Sequence, residues 1–283
     1  MSATPSSLAG RRVLITGAAR SIGASTARRL HSRGARVALA GLEPELLATV
    51  AAECGNAPWQ ECDVSERAQV EAAVGTAVER LGGLDVVIAN AGVAAQLPLV
   101  GGDPAVFEKT LAVNLFGVYY TLRAAGPHIS HPSGYALAVS SLAAAVHLPL
   151  MGAYSASKAA VEALGDTLRI ELRASGARVG VAYFAEIDTD MTSRGFGTEA
   201  AAKLTRRTSR FTRVAPLEQA IDAIERGVTN RSRHIAAPGW VDRVLPIRAL
   251  AQRVIERALS DADVDAALEI ARGENAPLTT PQS

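Results

Sequence analysis

A tyrosine, a lysine and a serine are the residues of this chain best suited to chemistry. Tyr154 and Lys158 are four residues apart in the segment Tyr-Ser-Ala-Ser-Lys, and Ser141 lies thirteen residues before the tyrosine. On a helix, this spacing places the phenol and the ammonium on one face. A free phenol titrates at about pH 10, and a nearby cation lowers that pKa, so the pattern predicts a tyrosine able to exchange protons at neutral pH.

Ser141 adds a hydroxyl that can hydrogen-bond to the oxygen whose proton Tyr154 gives or takes. The three side chains together predict a site that interconverts a carbonyl and an alcohol. The Tyr-x-x-x-Lys pattern is short, however, and by itself it more often marks an ordinary pair on a helix surface. The elements around it decide between these interpretations.

The N-terminal segment has the pattern of a strand, a glycine turn and a helix. Residues 13–15 are a short apolar run, typical of a buried strand in a parallel sheet. Gly17 and Gly23 frame the turn, and apolar residues then recur at helical spacing up to Gly34. Because the first N–H groups of a helix are free and its dipole is positive there, the turn predicts a pyrophosphate site. A second strand at 36–40 completes a βαβ unit.

Strand and helix patterns alternate along the whole chain. Strands are predicted at 12–16, 36–40, 57–62, 85–89, 134–139, 178–184 and 233–237, and helices at 21–33, 43–54, 65–81, 104–130, 153–175 and 216–229. This alternation predicts an α/β fold with a Rossmann-type, doubly wound parallel sheet. Ligands bind at the carboxyl ends of such strands. The residues expected to meet there are Gly17, Asp63, Asn90, Ser141 and Ile187.

The predicted organisation is a single domain with a C-terminal helical extension. The Rossmann-type catalytic domain covers 9–240 and includes a substrate lid at 188–215 with a short helix at 199–208; the extension covers 241–272, and disordered tails are predicted at 1–8 and 273–283. Three interpretations of the apolar stripe in the extension are open. It packs on its own domain or a neighbouring subunit, it walls a substrate pocket, or it lies on a membrane surface.

Composition excludes several classes of protein. The 283 residues are 48% hydrophobic with a net charge of +1, and without a clustered basic face no nucleic-acid binding is expected. The uncharged stretch 124–157 is broken by prolines and glycines, so no transmembrane segment is predicted. Two cysteines, Cys54 and Cys62, make no disulfide framework, and with no secretory signal a cytoplasmic location is expected. No metal site is predicted.

With these motifs together, the chain resembles the short-chain dehydrogenases/reductases over about residues 9 to 240. The matching segments are Thr16-Gly17-x-x-x-Ser21-Ile22-Gly23 as the cofactor turn, with Ser21 where glycine is usual, Asp63-Val64 as the adenine-contacting acid, Asn90-Ala91-Gly92, and Asn114, Ser141, Tyr154 and Lys158 as the catalytic tetrad. The resemblance implies NADP or NAD as cofactor and a small carbonyl or alcohol substrate. It also implies a homodimer or homotetramer assembled through the helices at 104–130 and 153–175.

The resemblance assigns each tetrad residue a role. As the cofactor delivers hydride to a carbonyl carbon, Tyr154 gives a proton to its oxygen. Lys158 keeps the tyrosine pKa usable and hydrogen-bonds the nicotinamide ribose. Ser141 steadies the carbonyl oxygen, and the family's spacing favours it over Ser140. Asn114 holds a water that connects Lys158 to solvent.

At the adenosine end, the chain departs from the family pattern. The acid usual after the second strand is replaced by Gly41, followed by Leu42. Arg20 can meet a 2′-phosphate with a charge-assisted hydrogen bond, which favours NADP. Glu43, two residues further on, can instead take the ribose hydroxyl and favour NAD. NADP is the preferred expectation.

A second departure follows the sixth strand. Phe184-Ala185 stands where the family usually carries Pro-Gly. Thr189 and the Ile187 backbone are still expected to contact the nicotinamide carboxamide. Glu186 lies near this pocket, where it either recognises a polar or cationic substrate group or points to solvent.

Three functions compete at this stage. The first is an NAD(P)-dependent carbonyl reductase or alcohol dehydrogenase. The second is a dehydrogenase of a bulky apolar alcohol, sterol- or acyl-derived. The C-terminal extension favours it, as do the apolar residues Leu97, Leu99, Leu148, Leu150 and Met151. The third is a non-catalytic regulator that binds the cofactor, against which the complete tetrad argues.

Overall fold

The computed structural model describes residues 7–195, 198–205, 214–273 and 278–279. Its seven strands form one parallel sheet in the order β3-β2-β1-β4-β5-β6-β7. The strands are β1 (Arg12–Thr16), β2 (Arg36–Gly41), β3 (Trp59–Glu61), β4 (Val86–Ala89), β5 (Tyr135–Val139), β6 (Arg178–Phe184) and β7 (His234–Ala237). The order reverses between β1 and β4, where open parallel sheets bind ligands. The predicted fold class is therefore confirmed.

Helices connect the strands and cover both faces of the sheet. They are α1 (Ser21–Ser32), α2 (Pro44–Glu53), α3 (Arg67–Leu81), α4 (Pro104–Leu111), α5 (Gly117–Ile129), α6 (Gly152–Glu171), α7 (Asp190–Gly195), α8 (Glu199–Thr205), α9 (Leu217–Asn230), α10 (Val241–Val244), α11 (Arg248–Ala258) and α12 (Asp261–Gly273). Short 3₁₀ turns occupy Leu142–Ala144, Leu172–Ser175 and Leu245–Ile247. None of the described helices is long and apolar enough to cross a membrane.

Side chains of the strands alternate between two buried layers. Val13 and Ile15 of β1 belong to the layer formed with α1, α2 and α9. Leu14, between them, belongs to the layer formed with α3, α5 and α6. Because both faces are covered, the central strands β4 and β5 are apolar and buried at every position. This explains why continuous apolar runs in the sequence predicted them.

A π-helical turn divides the helix predicted at 104–130. The turn spans Ala112–Phe116 between α4 and α5 and contains Asn114, which is fully buried. Such turns insert one residue into a helix and are frequent at functional sites. The helical periodicity on either side gave no sign of it, because its contacts are made with a distant part of the chain.

The C-terminal extension packs on its own domain. Val241 and Leu245 are buried against Val181 and Tyr183 of β6. Further along, α12 packs on α8 of the lid, where Ala267 meets an apolar cluster. Packing on the parent domain was the first of the three predicted interpretations.

The predicted lid and tails are only partly described. The lid contains α7 and α8, and its two ends are joined where Ile187 pairs with Ala215. Leu8, placed in the N-terminal tail, is buried, because it packs on the core. In the other tail, the Thr279 N–H donates to the Ala94 carbonyl at 3.0 Å. Residues 1–6, 196–197, 206–213, 274–277 and 280–283 of these predicted segments lie outside the described residues.

Candidate active site

The glycine turn between β1 and α1 is closely packed against the end of β4. Gly17 has φ +64°, and a Cβ there would lie 2.8 Å from the Ala91 Cα. A Cβ on Gly23 would collide with the Gly17 carbonyl oxygen. Ser21, where the family usually has glycine, also has a positive φ of +49°, a conformation that is costly for a residue with a side chain. The turn thus brings the start of α1 against the sheet, as a pyrophosphate site requires.

Thr16 and Asn90 join the ends of the two central strands. The Thr16 hydroxyl accepts the N–H groups of Asn90 and Ala91 at 3.1 and 3.2 Å. The Asn90 amide donates to the carbonyl oxygens of Thr16 and Gly17 at 3.0 and 3.3 Å. These bonds fix the predicted Asn90-Ala91-Gly92 segment beside the glycine turn.

The predicted adenosine end lies at the same rim, after β2 and β3. A Cβ on Gly41 would be 3.6 Å from the Ala18 nitrogen, so Gly41 adjoins the glycine turn. The Asp63 carboxylate accepts hydrogen bonds from Ser65 and lies 3.3 Å from Lys109. Burial acts to raise the Asp63 pKa, but the Ser65 hydrogen bonds and the Lys109 charge outweigh it and hold the pKa below its usual value. This acid is therefore ionised at neutral pH.

Arg20 connects the glycine turn with two acids. Its guanidinium forms an ion pair with Glu43, directly before α2, and lies 3.5 Å from the Asp190 carboxylate of α7. The pair with Glu43 was not foreseen, because the sequence separates the two residues by a complete helix and strand. Arg20 therefore joins the cofactor turn, the end of β2 and the lid.

Helix α6 positions the tyrosine and the lysine beside Ser141. The Lys158 Nζ lies 5.6 Å from the centre of the Tyr154 ring and donates to the Val139 carbonyl at 2.9 Å. A hydrogen bond joins the Tyr154 phenol to the Ser141 hydroxyl. The Ser141 Oγ also lies 3.2 Å from the Phe184 carbonyl oxygen and accepts the Ala143 N–H at 3.1 Å, so its hydroxyl is held in place. Ser140 instead donates to the Lys158 carbonyl, away from the phenol.

Asn114 is fixed by hydrogen bonds from the π turn to the loop after β4. Its Oδ1 accepts the Val93 N–H at 2.8 Å, and its Nδ2 donates to the Val93 carbonyl at 2.9 Å. The same Nδ2 lies 3.1 Å from the Ser157 hydroxyl of α6. A Cβ on Gly92 would lie 3.3 Å from Asn114 Oδ1 and 3.5 Å from Lys158 Nζ, which shows how closely the three residues approach. The predicted water-holding role is separate from these bonds and stays a prediction.

Burial shifts the pKa values of the two titratable side chains in this cluster, Tyr154 and Lys158. It raises the pKa of Tyr154, and the hydrogen bond from Ser141 offsets part of that rise. It lowers the pKa of Lys158 to about 8. The sequence predicted a lowered tyrosine pKa; in the structure desolvation of the phenolate outweighs the favourable contacts.

These residues surround a cleft of about 530 Å³ at the rim of the sheet. The predicted site residues that line it are Gly17, Arg20, Ser21, Ile22, Gly23, Asn90, Ala91, Gly92, Ser141, Tyr154, Lys158, Ile187 and Thr189. The remaining ones, Thr16, Gly41, Leu42, Asp63, Val64 and Asn114, lie outside its lining. Within the described residues, no group of histidine, cysteine and acidic side chains could hold a metal ion.

Other lining residues were not assigned to the site from the sequence. They include Gln96, Met191, Leu204, Trp240, Val244, Ile247, Leu250, Val254 and Ile255. The apolar stripe of the extension was a signal for some of them, but the sequence favoured packing on the domain or a neighbouring subunit over a pocket wall. The structure shows that this stripe walls the cleft as well as packing on the domain.

Comparison with known proteins agrees with this geometry. A sequence model described as short chain dehydrogenase matches residues 11–200. The chain belongs to the short-chain dehydrogenase family. A solved structure of a dehydrogenase/reductase from Sinorhizobium meliloti 1021 superimposes with a TM-score of 0.73 at 27% identity, covering 81% of this chain and 95% of that one.

The names of two related proteins indicate the type of reaction. The trans-4-hydroxycyclohexanecarboxylate dehydrogenase of Sinomonas cyclohexanicum is 34% identical over 210 residues, which are 70% of this chain and 81% of that protein. An uncharacterized NAD-dependent oxidoreductase of Mycobacterium tuberculosis is 37% identical over 210 residues, 68% of this chain and 76% of that one. The protein is thus an NAD(P)-dependent oxidoreductase acting on CH–OH and C=O groups, rather than a non-catalytic regulator.

Proposed function

We propose that this short-chain dehydrogenase interconverts a carbonyl and an alcohol with Tyr154 as the general acid and base. The observation that carries the proposal is the hydrogen bond between Tyr154 and Ser141 at the base of the cleft, with Lys158 beside it. The glycine turn lines the same cleft, so a dinucleotide bound there extends toward the phenol.

Ser141 and Tyr154 have different roles in the proposed carbonyl reduction. When bound, the nicotinamide supplies the hydride. Ser141, fixed by Phe184 and Ala143, holds the substrate oxygen where negative charge develops. Tyr154 donates its proton to that oxygen, and in oxidation it removes the proton. A phenol with a raised pKa is fully protonated at neutral pH, which suits the donor role.

A steady-state assay with ring ketones tests this proposal. The relative from Sinomonas is named for a cyclohexane alcohol, which makes substituted cyclohexanones a rational first panel. The wild type consumes reduced cofactor with at least one ketone, and Tyr154→Phe lowers kcat/KM by about a hundredfold or more, the usual contribution of a general acid. The variant retains cofactor binding, measured by nicotinamide fluorescence. Undiminished turnover by Tyr154→Phe would refute the proposed role.

We further infer that NAD, rather than the NADP favoured by the sequence, is the preferred cofactor. The Arg20 guanidinium already faces two carboxylates, those of Glu43 and Asp190. A 2′-phosphate beside Glu43 would meet like charge, whereas a ribose hydroxyl can donate to this carboxylate. The NAD-dependent relative from Mycobacterium is consistent with this inference.

Binding measurements with both reduced cofactors test the preference. NADH is expected to bind more tightly than NADPH, and Glu43→Gln is expected to reduce the difference by removing the repelling charge. Tighter binding of NADPH to the wild type would refute this inference and support NADP, the cofactor expected from Gly41 and Arg20.

The cleft favours a bulky apolar substrate as the more specific alternative. Its wall includes the apolar residues Leu250 and Val254 of α11, which are about half exposed. A sterol- or acyl-derived alcohol would cover these side chains. The chain is also 35% identical to the momilactone A synthase of Oryza sativa subsp. japonica over 214 residues, which are 71% of this chain and 76% of that protein.

Assembly and location also remain proposals. Phe116, Tyr119 and Ile170 are exposed apolar residues on the helices through which the family resemblance predicted a homodimer or homotetramer. Cys54 and Cys62 are both buried free thiols, as a reducing compartment allows, and a cytoplasmic location is proposed on that ground.

A further inference from the structure

Glu186 lies just after the end of β6 and lines the cleft that also holds Tyr154 and Ser141. It follows the end of β6 by two residues, and the carbonyl oxygen of Phe184, the last residue of that strand, lies 3.2 Å from the Ser141 Oγ. The Glu186 backbone carbonyl accepts the Ala215 N–H at 2.9 Å, which fixes the residue at the base of the lid. Glu186 lines the same cleft as Tyr154 and Ser141. Its position is therefore set by the backbone on both sides.

The Glu186 carboxyl has no cationic or hydrogen-bonding partner among the residues that the structure describes. Other half-buried acids of this chain do have one. Glu162 holds Arg248 with two hydrogen bonds, and Glu43 holds Arg20. Lys158, the buried cation of the cleft, donates instead to the Val139 carbonyl.

The surroundings of Glu186 make an unpaired carboxyl costly. Its neighbour Ala185 packs on an apolar cluster with Val244, and Met191 and Leu204 line the same cleft. Burial raises the pKa of Glu186, as expected where water is partly excluded. A buried polar group without a partner is destabilising, and a ligand that supplies the partner gains that free energy on binding.

We propose that Glu186 is a specificity-determining residue that accepts a hydrogen bond from a second polar group of the substrate, a hydroxyl or an ammonium, away from the reacting carbonyl. This inference rests on the proposed carbonyl/alcohol chemistry. It narrows the substrate class to apolar alcohols or ketones that carry a second hydrogen-bond donor. It also disfavours anionic substrates, because a carboxylate on the substrate would meet like charge where water is partly excluded.

Three ring ketones that differ in one substituent test the inference. Cyclohexanones that carry an ammonium, a tert-butyl group or a carboxylate across the ring present the same carbonyl with a cationic, neutral or anionic group. For the wild type, kcat/KM is expected to fall in that order, with about a hundredfold between the cation and the anion, since hydrogen bonds between charged partners are strong. In Glu186→Gln, which keeps the shape of the side chain, this ratio is expected to fall to about tenfold or less.

Asp188→Asn is the matched control. Asp188 is an exposed acid two residues further along the chain, outside the lining of the cleft, and its substitution removes the same charge. It is expected to leave the ratio between the ammonium and carboxylate ketones within about twofold of the wild type, because exposed charges are screened by water and salt. Thermal unfolding of both variants shows that the fold is retained.

The outcomes separate this inference from the function on which it rests. If no ketone is reduced, the proposed function fails. If the tert-butyl ketone is reduced and Glu186→Gln leaves the charge preference unchanged, the specificity role of Glu186 is refuted. If Glu186→Gln instead changes the Kd of NADH and leaves the substrate ratio intact, Glu186 contacts the cofactor, and the inference is overturned. If Asp188→Asn reduces the preference for the ammonium ketone as much as Glu186→Gln does, the preference arises from the net charge of the region. A contact with Glu186 would then be refuted.

Discussion

Tyr154 and Lys158 are both buried at the base of the cleft, and burial favours the neutral form of each. The pKa of the tyrosine is raised, and that of the lysine is lowered to about 8. The hydrogen bond from Ser141 is the contact that brings the tyrosine pKa back toward its ordinary value. Activity and stability should therefore respond to pH through different residues of one cluster.

Removing the Ser141 hydroxyl should move the pH profile of alcohol oxidation. The hydrogen bond from Ser141 lowers the pKa of Tyr154, so its loss raises that pKa. Oxidation needs the deprotonated base, so kcat/KM of Ser141→Ala is expected to rise at higher pH than that of the wild type. Ser140→Ala is the control, because Ser140 bonds to the Lys158 carbonyl. If the pH profiles of kcat/KM for Ser141→Ala and the wild type coincide, Ser141 does not lower the pKa of Tyr154.

Lys158 should reduce stability at neutral pH. Below about pH 8 the lysine is charged in the folded and the unfolded protein, so the fold bears the full cost of burying it. As pH rises from about 8 to the ordinary value of 10.5, the folded protein binds fewer protons than the unfolded one, and this cost disappears. The shift corresponds to about 3 kcal/mol.

The variant Lys158→Met, which has no charge, isolates this effect. Its free energy of unfolding relative to the wild type should be most favourable below about pH 8 and should decline above it. Urea denaturation at several pH values measures the difference. A difference that stays constant through the alkaline range would show that the lysine is not desolvated.

The sequence predicted the tetrad residues but not their surroundings. Spacing along one helix is enough to place Tyr154 and Lys158 together, because the helix fixes that geometry locally. The contact of Arg20 with Glu43 depends on how α2 meets the glycine turn, which no local pattern encodes. The rise of the Tyr154 pKa depends on burial, which likewise follows from packing around the cleft.

Helix α11 connects the extension to the active site. Arg248 forms two hydrogen bonds with Glu162 of α6, and Gln252 bonds both to the N–H and to the carbonyl of His147 in the loop after β5. These polar contacts hold the helix so that Leu250 and Val254 line the cleft. The helix is thus fixed by its polar residues and presents its apolar ones to the substrate.

Polar substitution of that wall should affect large substrates selectively. The double variant Leu250→Ser, Val254→Ser removes apolar surface that is about half exposed, so its folding stability should change little. KM for a bulky apolar ketone is expected to rise by about tenfold, while KM for a small ketone is unchanged. Arg253→Ser, on an exposed position outside the cleft lining, is the control. Equal effects on both ketones would contradict the role of α11 as a wall.

Among the elements, the pattern of apolar residues predicted the strands and most helices, because the central parallel strands β4 and β5 are buried on both faces and apolar at every position. It missed the π turn at Ala112–Phe116. The bonds between Asn114 and Val93 stabilise that turn, and they join segments that are distant in sequence. The surroundings of α11 were equally undetermined, since an apolar stripe shows that a helix face is covered but not by what.

At the scale of the whole molecule, exposed apolar residues lie on the helices in the sequence from Ala112 to Glu171. Phe116 and Tyr119, which adjoin each other around the start of α5, are about half exposed, and Ile170 of α6 is 63% exposed. These helices are the ones through which assembly is proposed. A second copy of the chain would bury these side chains and hold α6, which carries Tyr154, in place.

Charged substitutions at two of these residues test the assembly. Tyr119→Arg with Ile170→Arg is expected to reduce the molar mass from that of a dimer or tetramer to that of one chain, because two unpaired charges would be buried in the interface. Light scattering after size-exclusion chromatography measures it. Leu46→Arg, at an exposed apolar position of α2, is the control. A wild type that is monomeric at micromolar concentration would contradict the proposal.

The most direct test of the proposed function is the transfer of deuterium from labelled NADH to a ketone. The protein is incubated with NADH deuterated at the transferring position and the tert-butyl cyclohexanone, and the alcohol is analysed by mass spectrometry. We expect one deuterium on the carbinol carbon with the wild type and almost no alcohol with Tyr154→Phe. Labelled alcohol formed equally fast by Tyr154→Phe would contradict the central claim, as would the absence of any labelled alcohol from a wild type that binds NADH.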